Sequence, residues 1–308
     1  MGLDSQVVSA TRDRLSLQEL FRTIVSLFKL RIVMLLLAAA LGGAFLGAQG
    51  VPSLRTLIGI IVTGTLAAGG ASAINQYIER ERDALMRRTQ RRPLPAGEIQ
   101  RPAAILWIAI GMIVLSVALT LPTNPLMALY LALGAAIYVG VYTLWLKPRS
   151  VLNIVIGGAA GSMAVMTGGA AVRAASDPGV IVLALLLYLW TPVHFWALAL
   201  FYKDDYATAS VPMLPVLETD ERTAWWIFLH AASTGFAALV LAVHPALGWL
   251  YLLPTAAITG MMMVHSVRLL RQPDRPHAIK LFVTTNIFLL LVLIAIVAAT
   301  SARQVLGF

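Results

Sequence analysis

Long apolar runs without a charged residue dominate this sequence and limit what it can fold into. An α-helix of about 20 apolar residues spans the ~30 Å hydrocarbon core of a bilayer. Hydrophobic residues make up 59% of the chain, above the roughly 45–50% of a soluble domain. We therefore predict an all-α integral membrane protein. The predicted spans are 32–49, 56–78, 102–121, 125–146, 151–172, 179–202, 223–243, 246–267 and 281–300.

The connections between these runs are mostly short, so neighbouring helices must pack antiparallel in one bundle. We predict a polytopic bundle with nine transmembrane helices. It forms a single membrane domain at 32–303, and a cytoplasmic segment at 1–31 precedes it.

Lysine and arginine lie mainly on one side of the predicted bundle. Of the 23 in the chain, only Arg55, Arg173 and Arg303 fall on the other side. Because short cytoplasmic loops retain positive charge, the N-terminus is predicted to be cytoplasmic and the C-terminus extracytoplasmic. This bias accounts for the net charge of +9. Without a recognition motif, the charge does not indicate a nucleic-acid partner.

The chain has no cysteine, which excludes disulfides and thiolate metal sites. Its first 30 residues lack the apolar core and cleavage site of a signal peptide, and their acidic residues argue against a transit peptide. A prokaryotic plasma membrane is the expected location.

The stretch "NQYIERERDALMRRTQRRPLP" (75–95) differs sharply from the apolar runs around it. Charged residues are 12% of the chain, yet nine of them lie between Glu79 and Arg92. Steps of four residues place five side chains on one helix face: Ala67, Ala71, Asn75, Glu79 and Asp83. Small residues on such a face permit close helix packing or a cavity, with the oxygen-bearing groups at its cytoplasmic mouth.

Amide and carboxylate oxygens are ligands that suit Mg²⁺, which proteins usually bind through one or two carboxylates together with substrate phosphates. The arginines that surround them match phosphate oxygens. The stretch therefore indicates a site for magnesium and a diphosphate. A solvated cytoplasmic loop is the alternative, which explains the arginines but not the four-residue spacing.

A second polar cluster, "FYKDDYATASVPMLP" (201–215), follows the sixth span. Asp204 and Asp205 are adjacent, so in a continuous helix they point about 100° apart and only one of them can face the site. Lys203 adds a cation. If the two clusters face each other, their carboxylates can hold metal ions on both sides of one diphosphate. The alternative is a solvated helix end.

Four strings, in order along the chain, carry a family resemblance. The first cluster resembles the first signature of the UbiA superfamily of intramembrane prenyltransferases. "YTLWLKPRSVLNIVIGGAAG" (142–161), "TPVHFWALALFYKDDY" (191–206) and "VPMLP" are similar to the haem-farnesylating branch of that superfamily. The resemblance implies nine helices, a lateral opening to lipid, and Mg²⁺-dependent transfer from an isoprenyl diphosphate.

The resemblance also implies roles for individual residues. It gives catalytic roles to Asn75, Glu79, Asp83, Asp204 and Asp205, and Mg²⁺ ligation to all of these except Asp204. Diphosphate-binding candidates are Arg88, Arg92, Lys147 and Lys203, with Arg31 and Arg149 farther out. His194 and Trp196 are candidates for contact with haem. The chain departs from the superfamily pattern at Glu79, where aspartate is more common, and at Phe201, where a second aspartate often stands.

By this resemblance the substrates are farnesyl diphosphate and haem B, the product is haem O, and the lipid bilayer is the setting. Association with other membrane enzymes of haem synthesis is compatible with it. One alternative is a member of the superfamily with an aromatic or chlorin acceptor. Another is a cation-coupled transporter, although transporters place such sites near the bilayer midplane rather than at helix ends. For His194, a hydrogen bond between helices is the alternative to a functional role.

Overall fold

The computed structural model describes residues 17–306, which form helices and no strand. Residues 1–16 of the predicted N-terminal segment lie outside the described residues. The helices are α1 (Leu17–Leu27), α2 (Leu30–Ala48), α3 (Leu54–Leu85), α4 (Pro102–Thr120), α5 (Pro125–Ala136), which continues as a π-helix (Ile137–Leu146), α6 (Asn153–Gly157), α7 (Ala159–Ala171), α8 (Pro178–Phe201), α9 (Lys203–Thr208), α10 (Leu214–Leu217), α11 (Asp220–Leu241), α12 (Gly248–Arg271) and α13 (Arg275–Leu306).

Within residues 17–306, nine helical segments are long and apolar enough to cross a membrane. They correspond one to one with the nine predicted spans, α5 with its π-helix and α6 with α7 each counting as one. The prediction of an all-α, nine-helix membrane bundle is confirmed.

Two of the helices extend well beyond the apolar runs that predicted them. α3 and α13 have 32 residues each, or about 48 Å at 1.5 Å per residue. Hydropathy marks only the part of a helix that lies in lipid, whereas the backbone hydrogen bonds continue into the polar residues. As a result, α3 carries its charged last turns past the bilayer core as a rigid extension.

Capping residues fix where several helices begin. Asn124 and Asp177 accept hydrogen bonds from the first backbone N–H groups of α5 and α8, and a proline follows each of them. Proline is favoured at the first position of a helix because its missing N–H has no partner there in any case. The capping side chain and the proline together determine the residue at which each of these two helices begins.

Glycines allow α2 and α7 to cross at very short range. A Cβ atom added at Gly168 would lie 1.7 Å from the backbone oxygen of Ala40, and one at Gly43 would lie 2.4 Å from that of Val165. The obstacle is backbone in both cases, so it cannot move aside as a side chain does. Small residues at helix contacts are typical of membrane bundles.

Gly168→Ala is therefore expected to force α2 and α7 apart and to destabilise the protein by about 1–3 kcal/mol or more. Thermal unfolding in detergent measures the effect. Gly161→Ala is the matched control, because nothing lies within 4 Å of a Cβ atom at that position of the same helix. Equal stability of the two variants would show that the close crossing does not hold the bundle together.

Candidate active site

A cavity of about 250 Å³ lies inside the bundle. Its walls come from α2, α3, α5, the π-helix, α6, α7, α8 and one residue of α13, and they are almost entirely apolar. Ala67 and Ala71 line it, as the small-residue face predicted. Ile32 lines it too and is 48% exposed, so the cavity reaches the outer surface of the bundle near the start of α2.

The helix face that lines this cavity continues into three oxygen-bearing side chains. Asn75, Glu79 and Asp83 follow one another on α3 and are only 1%, 4% and 2% exposed. A buried carboxylate is costly unless it is paired, and each of these three groups has a cationic partner.

Lys147 is the partner of Glu79, with 2.5 Å between Nζ and Oε1. It follows directly after the π-helix, whose i→i+5 pattern appears in the bond from the Lys147 N–H to the Tyr142 carbonyl. This lysine is buried, which works against its charge, yet the nearby Glu79 carboxylate raises the pKa of Lys147 above its ordinary value. The two groups hold each other in the charged state.

Arg92 is the partner of Asp83, at 2.7 Å between Nη1 and Oδ2. The chain folds back toward Asp83 after α3 ends at Leu85. Two residues of the following loop hold it in this position. Met86 is buried, and the hydroxyl of Thr89 donates to the Asp83 carbonyl at 2.8 Å, which caps the end of the helix.

The second cluster meets the first through one of its two aspartates. Helix α8 ends at Phe201, and α9 begins after a break at Tyr202. Asp205 accepts a hydrogen bond from the backbone N–H of Arg88 at 3.2 Å. Asp204 points away, is 76% exposed and pairs with Arg275. The structure therefore brings only Asp205 to the loop that follows α3.

Arg88 is held beside α9 by aromatic rings. Its Nη2 donates to the Tyr206 hydroxyl at 3.3 Å, and its guanidinium lies 5.4 Å from the centre of the Tyr202 ring. Arg88 thus stands between the two clusters.

Four other predicted residues lie outside this group. Lys203 pairs with Asp220 at 2.6 Å. Arg31 is exposed, and Arg149 donates to carbonyls at the end of the π-helix. Trp196 packs against His230, with ring centres 5.2 Å apart, and does not line the cavity. Two residues along a helix turn the side chain by about 200°, so Trp196 faces away from His194.

The sequence interpretation missed Lys29, which lies just before α2. Its Nζ donates to Oδ1 of Asn75 at 2.5 Å and lies 3.4 Å from the Tyr138 hydroxyl. Burial, followed by the repulsion from Arg92, lowers the pKa of Lys29 to about 7. An anion placed beside this amine would favour its charged form. A lone lysine at the start of an apolar run was the only available signal.

Two tyrosines separate the charged group from the cavity. Tyr138 and Tyr142 stack with ring centres 5.6 Å apart, and both line the cavity. On the polar side, Lys147 lies 5.6 Å from the Tyr142 ring. Asn75 also donates to Thr143 of the same π-helix at 3.0 Å. The charged group and the apolar cavity therefore share one aromatic boundary.

His194 also lines the cavity, from α8. It is 9% exposed, and its Nδ1 lies 3.0 Å from the hydroxyl of Thr285 in α13.

Fold and site together define a class of protein. A membrane bundle whose apolar cavity ends in buried carboxylates and cations has the features required by a substrate with a diphosphate head and an apolar tail. The model of the UbiA prenyltransferase family matches residues 35–300. The chain belongs to this family.

Curated relatives match along most of the chain. The protoheme IX farnesyltransferase of Leptospira biflexa is 42% identical over 280 residues, covering 90% of this chain and 98% of that protein. The protein of the same name from Metallosphaera sedula is 40% identical over 272 residues, covering 88% and 93%.

Solved structures show the same fold at low identity. A digeranylgeranylglyceryl phosphate synthase structure superposes with a TM-score of 0.76 at 16% identity, covering 91% of this chain and 98% of that one. A UbiA homologue from Archaeoglobus fulgidus bound to GPP and Mg²⁺ has a TM-score of 0.61 at 14% identity, covering 90% and 99%.

Proposed function

We propose that this protein transfers the farnesyl group of farnesyl diphosphate to a vinyl group of haem B, which gives haem O. The observation that carries the proposal is the convergence of acidic, amide and cationic side chains from the ends of several helices at one end of an apolar cavity. The reaction and acceptor come from the curated relatives, which are protoheme IX farnesyltransferases at about 40% identity. These relatives do not favour an aromatic or chlorin acceptor or a transporter.

The donor set at the end of α3 fits Mg²⁺. All of its members are oxygen donors: Asn75, Glu79 and Asp83, with Asp205 near Arg88 across the loop. Among residues 17–306, no three His, Cys, Asp or Glu side chains form a metal cage by themselves. That suits Mg²⁺, which usually combines one or two carboxylates with phosphate oxygens of the substrate. When bound, the ion would neutralise charge that develops on the leaving diphosphate.

Cations around these oxygens are the proposed diphosphate ligands. Arg88, Arg92 and Lys147 were predicted from the sequence, and Lys29 joins them in the structure. Arginine and lysine that now pair with the carboxylates can turn their donors to phosphate oxygens. This proposal does not include Lys203, Arg31 and Arg149, because they do not lie among the charged residues around Asn75, Glu79 and Asp83.

The chain's own residues account for the remaining steps. As the carbon–oxygen bond of farnesyl diphosphate breaks, the cations stabilise the diphosphate that leaves with the bonding electrons. The allylic carbon then bonds to the terminal vinyl carbon of haem, and water adds to the other vinyl carbon with loss of a proton. Tyr138 and Tyr142 face the allylic carbon with aromatic surfaces, which attract cations. The apolar cavity keeps water away from it until that step.

The orientation is proposed from the charge bias of the connections, and the location from the absence of signal-peptide and transit-peptide features in the first 30 residues. We place the chain in a prokaryotic plasma membrane with the charged site on the cytoplasmic side and the C-terminus outside.

Mass spectrometry of haem tests the proposed function. Purified protein with Mg²⁺, farnesyl diphosphate and haem B is expected to give haem O, and cells that lack the protein are expected to lose it. An aromatic quinone precursor serves as a parallel acceptor. Prenylation of that precursor alone would contradict the haem assignment.

The adjacent aspartates of α9 provide a matched pair of variants. Asp205→Asn is expected to lower kcat/KM for farnesyl diphosphate by about 10²-fold, because it removes a charge beside Arg88 at the proposed site. Asp204→Asn is expected to change it by less than about twofold, since that exposed side chain pairs with Arg275. Steady-state kinetics distinguish the two variants. A larger loss of kcat/KM in Asp204→Asn than in Asp205→Asn would contradict the assignment of Asp205 to the site.

A further inference from the structure

His194 is held rigidly at the cavity wall. Its ring stacks on Trp190 with centres 4.4 Å apart and 19° between the planes, and it packs against Phe282 at 4.6 Å. With its Nδ1 bonded to Thr285, the orientation of the imidazole is fixed by contacts within α8 and across to α13.

The hydrogen bonds of Thr285 determine which ring nitrogen carries the proton. This threonine is fully buried, and its hydroxyl donates to the Phe282 carbonyl at 2.7 Å. A hydroxyl has one proton to donate, so it accepts from the Nδ1–H of His194 at 3.0 Å. The opposite tautomer would place an N–H at Nε2, for which no acceptor exists among residues 17–306, inside an apolar cavity. An unpaired buried donor of this kind is costly.

The lone pair of Nε2 is therefore available to a molecule in the cavity. We propose that Nε2 of His194 is an axial ligand of the haem iron, and that Thr285 is the positioning residue that holds the imidazole in the ligating tautomer. This inference rests on the proposed function. Histidines that bind metals usually donate their other ring N–H to an acceptor, which fixes both tautomer and orientation.

The position of His194 along α8 agrees with this role. The helix continues from His194 to Phe201, about 10 Å at 1.5 Å per residue, and Asp205 follows in α9. Iron ligated at His194 would therefore lie at the cavity wall, on the helix that leads toward Asp205.

Titration of the full-length protein in detergent with haem B, followed by absorption spectroscopy, tests the inference. Metal-free protoporphyrin IX is the parallel ligand because it has the same ring without iron. Thr285→Val is expected to weaken haem binding by about 10- to 100-fold, and Thr285→Ser to restore it. The bond from Trp190 to the main-chain oxygen of Thr285 is unaffected by either change. His194→Ala is expected to lose the spectrum of histidine-ligated haem.

Thr284→Val is the control for loss of a buried hydroxyl. Thr284 is also buried in α13, but its hydroxyl bonds to Lys280 of the same helix. We expect its haem binding to match the wild type, and protoporphyrin binding to be the same in all variants.

Two results would overturn the inference while leaving the proposed function intact, provided haem O still forms. One is an unchanged haem spectrum and affinity in both His194→Ala and Thr285→Val. The other is an equal loss of haem and protoporphyrin affinity, which would show that the histidine only shapes the pocket. Failure of the wild-type protein to convert haem B at all would instead refute the proposed function, and the iron ligation with it.

Discussion

Asp83→Asn is expected to lower kcat/KM for farnesyl diphosphate by about 10²- to 10³-fold, the range found when one preorganised group that stabilises developing charge is removed. Asp83 is 2% exposed and holds Arg92 at 2.7 Å, where both can act on a diphosphate. Asparagine keeps the size of the side chain and removes its charge. The fold should therefore remain, and thermal unfolding in detergent should show this beside the kinetics.

Glu81→Gln is the matched control on the same helix. Its carboxylate is 85% exposed and pairs with Arg80 at 3.2 Å, away from the site face. We expect activity within about twofold of the wild type, as for exposed ion pairs of little energetic weight. Similar losses of kcat/KM in Asp83→Asn and Glu81→Gln would show that activity depends on the overall charge of residues 75–95. It would then not depend on the α3 face that carries Asp83.

Lys147→Met is expected to cost about 3–5 kcal/mol of stability as well as activity, because it leaves the carboxylate of Glu79 buried and without its partner. Glu79 and Lys147 are 4% and 11% exposed, so water cannot replace the lost partner easily. Unfolding of the purified protein in detergent measures the first effect, and formation of haem O measures the second.

The double variant Glu79→Gln with Lys147→Met separates the two effects. Removing both charges should recover most of the stability, since neither member of the pair is left as an unpaired charge in the interior. Activity should remain absent, because both a proposed metal ligand and a diphosphate ligand are gone. A double variant no more stable than Lys147→Met alone would show that the pair is not the source of the stability change.

The architecture could be predicted from the sequence because each membrane span is apolar along its whole length. Nine apolar runs became nine membrane-length helices, and four-residue spacing correctly placed Asn75, Glu79 and Asp83 on the face that continues from the cavity. Both signals are local and periodic. They need no knowledge of which helices are neighbours in space.

The partners in the site depend on long-range contacts and local breaks that leave no such pattern. Lys29 reaches Asn75 from 46 residues away, through a backbone with φ of 47° that a lysine rarely adopts. The π-helix that carries Tyr138 and Tyr142 has no periodic sequence signal. The sequence assigned Mg²⁺ ligation to Asp205 rather than Asp204, but it did not show the helix break at Tyr202 that precedes both residues.

The tautomer of His194 could not be predicted from the sequence either. It is determined by Thr285, which is 91 residues away on the last helix. A histidine in a membrane span indicates function in general terms, whereas its partner appears only once α8 and α13 are packed together.

Oxygen ligands on α3 and the cations around them are proposed to hold a magnesium diphosphate at the end of the apolar cavity. A crystal structure with Mn²⁺ in place of Mg²⁺ and a non-hydrolysable farnesyl diphosphate analogue tests this claim most directly. We expect an anomalous peak within direct bonding distance of oxygens of Asp83 or Glu79, with the farnesyl tail in the cavity. Diphosphate bound without a metal peak, or a peak remote from α3, would contradict the claim.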